Sequence, residues 1–229
     1  MKYCELDYVW KRIYELEWEA VCHKSKAIAA VIVDENGTII SEGRNKIEEQ
    51  EILNPRVSHA ETEAVRNLDV TKYPNVKSYT LYTGLEPCPM CLGTLVMGGI
   101  RNVIIGAHDN HGGAMELIAK SKFLTSKQIK VEWMPQFYGD MQRGLQAIKE
   151  LLYNKNEDKL KRMMTDFSVY NYCGVNAARA LVDSGMFRTK LPEQYDIEYI
   201  FNCLSDGMSG GKTKKTLTTI PCDLHTASF

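Results

Sequence analysis

The strongest constraint on this 229-residue chain is a pair of cysteines in Pro87-Cys88-Pro89-Met90-Cys91, read with the upstream segment His59-Ala60-Glu61. Two thiolates from one turn and an imidazole from elsewhere supply three protein ligands for a tetrahedral zinc ion. Structural zinc sites have four protein ligands, whereas catalytic sites keep the fourth position open. The pattern therefore predicts a fold that brings the two segments together around Zn²⁺, with His59, Cys88 and Cys91 as ligands.

The local chemistry of the second segment favours metal binding. Proline is well suited to the first position of a helix, so Pro89 predicts Cys88 at the N-cap and Cys91 in the first turn. Both sulfurs then lie at the positive end of the helix dipole, which stabilises the thiolate form that binds metal.

The order and separation of these residues resemble the H-x-E and P-C-x-x-C signature of zinc-dependent deaminases. The surrounding residues 80–93 read Thr-Leu-Tyr-Thr-Gly-Leu-Glu-Pro-Cys-Pro-Met-Cys-Leu-Gly. Within the cytidine/deoxycytidylate-type deaminase superfamily, this wording is most similar to the guanine deaminases, the fungal-type cytosine deaminases and the tRNA adenosine deaminases. The resemblance extends over residues 1–150 and leaves the last third of the chain unexplained.

The resemblance also implies roles for further residues. It implies that Glu61 is the catalytic proton shuttle and that the protein is a homodimer. It implies substrate contacts at Asn45, Ala60, Glu86 and Asp109.

Glu61 has a second interpretation that rests on the sequence alone. Ser58-x-x-Glu61 has the form of a capping box, in which Glu61 would accept a hydrogen bond from the Ser58 amide. The tetrapeptide by itself favours the cap. His59 and the cysteine pair favour the shuttle, because the chemistry at zinc needs a proton carrier and no other carboxylate has this placement.

Hydrophobic periodicity predicts the order of the elements. It predicts an amphipathic first helix, two antiparallel strands joined at Glu35-Asn36-Gly37, and a helix over residues 59–68. A third strand, a zinc-bearing helix and a parallel fourth strand follow, then a fifth strand over residues 129–133 and a helix over residues 136–153. The expected fold is a three-layer α/β/α sandwich with a five-stranded mixed sheet, of the cytidine deaminase-like type.

The chain divides into three predicted regions. Residues 1–153 form the zinc-dependent deaminase domain, residues 154–205 a small helical C-terminal extension, and residues 206–229, rich in Gly, Ser, Thr and Lys, a flexible tail. Apolar residues of the extension suggest three short helices. Its aromatic residues suggest a lid over the active site, or else the core of the extension, and they are Phe167, Tyr170, Tyr172, Tyr195, Tyr199 and Phe201.

The charge of the chain indicates which kind of substrate or partner it can bind. The formal net charge is −1, and the loop of residues 46–57 carries Glu48, Glu49 and Glu51 against Lys46 and Arg56. Nucleic-acid-binding proteins usually present a basic surface, so a small nucleobase or nucleoside is expected rather than nucleic acid. No apolar run is long enough to span a membrane, and the first twenty residues do not resemble a secretory signal, so we expect a cytoplasmic protein.

The predicted function is zinc-dependent hydrolytic deamination of a small base or nucleoside of the guanine, cytosine or adenosine type, with release of ammonia. One alternative is a tRNA-specific adenosine deaminase, which converts adenosine to inosine. Another is a non-catalytic zinc-stabilised interaction module, which would need a fourth protein ligand such as Cys173 or Cys203.

Overall fold

A five-stranded mixed sheet forms the centre of the molecule, in a computed structural model that describes residues 1–210. The strands are β1 (Ala29–Val33), β2 (Ile39–Arg44), β3 (Thr80–Leu85), β4 (Asn102–Ala107) and β5 (Lys130–Trp133). Their order is β2-β1-β3-β4-β5, with β1 antiparallel to both neighbours and β3, β4 and β5 parallel. This arrangement confirms the predicted five-stranded mixed sheet.

Nine α-helices are present in residues 1–210. They are α1 (Tyr8–Cys22), α2 (Ala60–Asn67), α3 (Pro89–Met97), α4 (Leu117–Lys120), α5 (Lys122–Ser126), α6 (Gln136–Tyr153), α7 (Glu157–Asp183), α8 (Met186–Thr189) and α9 (Ile197–Gly210). No helix in this described part is long and apolar enough to cross a membrane.

The two faces of the sheet are covered by different helices, as strand alternation requires. On β1, Ala29, Val31 and Val33 belong to a core formed with α1, α6, α7 and α9. Ala30 and Ile32 point to the other face, into a core formed with α2 and α3. The protein is therefore a three-layer α/β/α sandwich, as predicted.

The C-terminal extension differs from its predicted form. Two of its three predicted short helices are joined as α7, which bends at Asn171, where φ is −129° and ψ is 47°. The predicted flexible tail begins too early, because residues 206–210 continue α9. The remainder of that predicted tail, residues 211–229, lies outside the described residues.

The extension shares its core with the α/β/α sandwich. Met164, Val175 and Phe201 belong to the same buried cluster as Trp10 and Leu145. Gly174 of α7 is so close to α6 that an added Cβ would lie 1.8 Å from the carbonyl oxygen of Asp140. Because α7 covers the outer side of α6, the middle of α6 is buried on every side, including its polar residues.

Candidate active site

The three predicted zinc ligands meet at the beginnings of two helices. His59 is the N-cap of α2, Cys88 is the N-cap of α3, and Cys91 lies in the first turn of α3. The Nδ1 atom of His59 is 3.6 Å from each sulfur, and the two sulfurs are 3.6 Å apart. The predicted placement of Cys88 and Cys91 on the helix is correct.

These separations fit a zinc ion. With Zn–S distances of about 2.3 Å and Zn–N distances of about 2.0–2.1 Å, tetrahedral ligands lie roughly 3.5–3.8 Å apart. Among residues 1–210, His59, Cys88 and Cys91 form the only group of three or more His, Cys, Asp or Glu side chains that could hold a metal ion. Neither Cys173 nor Cys203 belongs to this group. The donor set is therefore that of a zinc site with three protein ligands.

The two cysteines influence each other's ionisation. A hydrogen bond with Cys91, together with His59, lowers the pKa of Cys88 to about 4. The same contact and burial raise the pKa of Cys91, because a second negative charge beside the first is unfavourable. One thiol of the pair therefore ionises readily, and a cation bound between the two sulfurs would favour ionisation of the other thiol as well.

Glu61 lies beside this group, with its side chain buried. Burial raises the pKa of its carboxyl group to about 7, because desolvation disfavours the charged form. The capping-box alternative is not realised: α2 has His59 as its N-cap and no side-chain cap. Ser58 Oγ also lacks a hydrogen-bond partner among the described residues.

A cavity of about 210 Å³ adjoins His59, Glu61 and Cys88. Three of the predicted substrate contacts line it, namely Asn45, Glu86 and Asp109. Ala60 is fully buried between His59 and Glu61 and does not line it. The remaining lining residues are Lys26, Ile28, Leu85, His111, Gly112, Arg143, Gln146, Met163, Asp166 and Phe167.

Asn45 reaches the cavity because β2 packs tightly on α2. A Cβ at Gly43 would lie 2.4 Å from the Ala60 carbonyl oxygen, so this position requires glycine. The Oδ1 atom of Asn45 accepts a hydrogen bond from the Ile47 amide at 3.2 Å. Its Nδ2 atom is buried and has no protein partner in the described residues.

The loop after β4 is held from two sides. Asp109 Oδ1 accepts hydrogen bonds from the amides of His111 and Gly112, both at 3.2 Å. Glu86 Oε2 accepts a hydrogen bond from the Asp109 amide at 3.1 Å. Glu86 and Asp109, both predicted to contact the substrate, therefore shape this loop. We call residues 108–113 the wall loop, because they form one side of the cavity.

Arg143 of α6 was missed by the sequence predictions. It is 3% exposed, and its Nη2 atom is 3.1 Å from Asp109 Oδ1 and 3.3 Å from the His108 carbonyl oxygen. Its guanidinium carbon lies 4.6 Å from the centre of the Phe167 ring. Arg143 therefore connects the wall loop to the extension.

Helix α7 closes one side of the cavity with Met163, Asp166 and Phe167. Asp166 accepts a hydrogen bond of 2.7 Å from Asn110, a residue of the wall loop. Of the aromatic residues proposed as a lid, Phe167 lines the cavity, whereas Phe201 is buried in the helical core. The others do not line it, and Tyr170, Tyr172 and Tyr199 are exposed.

The mixed sheet and the His-Cys-Cys site define a deaminase of the cytidine deaminase-like superfamily. Residues 5–170 match the model of the MafB19-like deaminases. This match spans most of the chain, so the protein belongs to the MafB19-like deaminase family.

Individual relatives match over shorter segments. The probable cytosine deaminase of Schizosaccharomyces pombe is 38% identical over 76 residues, 33% of this chain and 44% of that protein. The tRNA-specific adenosine deaminase of Bacillus subtilis is 36% identical over 104 residues, 42% of this chain and 60% of that protein. The chain thus spans about half the length of these curated relatives.

Solved structures support the fold. The structure of NE0047 in complex with 2,6-diaminopurine superposes with a TM-score of 0.53 and 18% identity, covering 65% of this chain and 82% of that chain. At this level of identity, the likeness concerns the fold alone.

Proposed function

We propose that the protein is a zinc-dependent hydrolytic deaminase of a small nucleobase or nucleoside of the guanine, cytosine or adenosine type. The observation that carries this proposal is the placement of a buried carboxyl group, Glu61, on the same cavity as the His59 and Cys88 ligands. Zinc held by His59, Cys88 and Cys91 would supply Lewis acidity and make a water nucleophile available near neutral pH.

Glu61 would carry the protons of the reaction. Its carboxyl group lies on the same cavity as the ligands His59 and Cys88, where a carboxylate can accept a proton and return it. Glu61 takes one proton from the attacking water and passes it to the ring nitrogen of the amidine. It then takes the second proton from the new C–OH group and gives it to the departing amine, as the C–N bond breaks and the carbonyl forms. Water and the amino compound thereby give a carbonyl compound and ammonia.

The cavity favours a small, uncharged substrate. Its volume of about 210 Å³ is below the range of about 300–1,000 Å³ that is common for drug-sized ligands. Glu86, Asp109 and Asp166 outnumber Lys26 and Arg143 on its walls, which disfavours a phosphate group. We therefore favour a free base or nucleoside over a tRNA anticodon, and we propose α7 as a lid that excludes bulk water.

The test is ammonia release by the zinc-loaded, full-length protein from cytosine, guanine, adenine, their nucleosides, their nucleotides and tRNA. We expect turnover of at least one base or nucleoside. Turnover of tRNA alone would replace this proposal with the tRNA adenosine deaminase alternative. Zinc binding without ammonia release from any compound would favour a non-catalytic module.

A further inference from the structure

Gln146 is a buried polar residue on α6 that lines the cavity. It is 2% exposed, and its Nε2 atom donates a hydrogen bond of 3.0 Å to Glu150 Oε1. Its Oε1 atom has no hydrogen-bond partner among the described residues. A buried acceptor without a partner is costly, so such groups usually have a role.

The neighbours of Gln146 determine which end of the amide is unpaired. A carboxylate oxygen accepts hydrogen bonds, so Glu150 selects the NH₂ group of Gln146. Lys149 Nζ lies 3.2 Å from the same oxygen of Glu150, and Asn154 Nδ2 donates to the other oxygen at 3.2 Å. Reversing the Gln146 amide would bring two acceptor oxygens together, so its unpaired atom is the oxygen.

Asn45 provides the complementary group on the same cavity. The Ile47 amide holds Asn45 Oδ1, so the unpaired atom of Asn45 is the donor Nδ2. The wall thus carries one unpaired donor and one unpaired acceptor, beside the zinc ligands and Glu61. A heterocyclic base can satisfy both, with a carbonyl oxygen or a ring nitrogen as acceptor and a ring N–H as donor.

We propose that Gln146 is a specificity-determining residue whose Oε1 accepts a hydrogen bond from one particular ring N–H of the substrate, the one at which the nucleoside carries its sugar. This inference rests on the proposed deaminase function and narrows its substrate class to free bases. This N–H is at N1 in cytosine and at N9 in guanine and adenine. A nucleoside of these bases would therefore leave Gln146 Oε1 without its partner.

The experiment compares each base with its N-methyl analogue: cytosine with 1-methylcytosine, guanine with 9-methylguanine, and adenine with 9-methyladenine. For the base that is deaminated, we expect kcat/KM to fall about tenfold or more on methylation, because a buried acceptor loses its donor. In Gln146→Met, which has similar size but no acceptor oxygen, we expect this ratio to fall toward one. The change should come mainly from loss of activity on the unmethylated base.

Gln142→Met is the matched control. Gln142 lies one turn earlier on α6, is fully buried and also has an unpaired Oε1, but it does not line the cavity. We expect it to keep the wild-type ratio. A second variant, Gln146→Leu, removes the same acceptor oxygen with a different apolar side chain. Its ratio should also fall toward one, for the same reason.

The outcomes separate the role of Gln146 from the proposed deaminase function. An unchanged ratio in folded Gln146→Met, or in Gln146→Leu if the first variant does not fold, would overturn the role of Gln146. A wild-type protein that prefers nucleosides or methylated bases would also overturn it while leaving the deaminase function intact. Absence of ammonia release from every compound would instead contradict the proposed function.

Discussion

At the scale of single residues, substitution of Cys88 or Cys91 tests the proposed zinc site. We expect Cys88→Ala and Cys91→Ala each to reduce bound zinc well below one ion per chain, because only two ligands remain. Metal analysis of the purified protein measures this. Cys22→Ala is a suitable control, since Cys22 is a partly buried free thiol at the end of α1, outside the ligand group. Undiminished zinc in Cys88→Ala would contradict the ligand assignment.

Glu61 is predicted to act on turnover rather than on metal binding. We expect Glu61→Gln to keep its zinc and its melting temperature while ammonia release falls by at least about 10²–10⁴-fold, because the variant cannot accept a proton. Glu63→Gln is the matched control, because Glu63 is also buried on α2 but contacts Arg66 instead of the cavity. If Glu61→Gln retained most of its activity, the proton-shuttle role would be wrong.

At the scale of elements, the α6–α7 contact contains a carboxyl group whose ionisation opposes folding. Burial raises the pKa of Asp140 to about 6, although the Gly174 amide and Gln136 donate hydrogen bonds to it. In the unfolded chain this carboxyl ionises at its ordinary pKa of 3.8. The folded state therefore holds a proton between these two values that the unfolded state has released.

The protonated form of Asp140 favours the folded state, so raising the pH destabilises the fold. The free energy of unfolding should decrease as pH rises from about 4 to about 6 and then level off, by about 3 kcal/mol at most from this group. Asp140→Asn removes the ionisation and keeps an acceptor oxygen for the Gly174 amide. Urea unfolding of both proteins at pH 4, 5, 6 and 7 should show a smaller decrease in the variant. Parallel pH profiles would disprove this prediction.

At the scale of the whole molecule, the extension is predicted to be necessary for folding. Removing residues 155–229 would expose Phe137 of α6 and Tyr14 of α1, whose rings contact that of Phe201 on α9, with other apolar residues of the shared core. Each large apolar side chain returned to water costs about 1.5–3 kcal/mol, and the total exceeds typical domain stability of about 5–15 kcal/mol when many are exposed. We expect the shortened chain to lack cooperative thermal unfolding by circular dichroism. A cooperative transition would show that residues 1–154 fold alone.

The predicted homodimer stays a prediction. The glycine-rich, apolar residues 95–100 would be a plausible dimer contact, but Leu95, Val96 and Ile100 are at most 2% exposed and pack in the protomer's own core. Met97, the last residue of α3, is 76% exposed and supplies apolar surface there. We expect sedimentation at micromolar concentration to give a dimer, and Met97→Glu to weaken it. A wild-type monomer under these conditions would refute the dimer.

The sequence by itself determined the order of the central elements and the placement of Cys88 and Cys91 at the beginning of one helix. The spacing of Cys88 and Cys91 acts within one helical turn, and alternation along residues 29–33 acts within one strand, so both are local properties of the chain. The pairing of His59 with the cysteines depended on resemblance, because two separate segments had to meet. The separation of α7 into two short helices was wrong because the bend at Asn171 interrupts the periodicity without ending the helix.

Only the tertiary structure decided what lies around the cavity. In sequence, Arg143 and Gln146 read as the solvated face of an amphipathic helix whose apolar side includes Met141 and Leu145. In the folded protein α7 covers that face, so these polar groups are buried and line the cavity with Met163, Asp166 and Phe167. Helical periodicity reports that a residue lies on one side of a helix, but which other segment packs against that side depends on long-range contacts that no local pattern records.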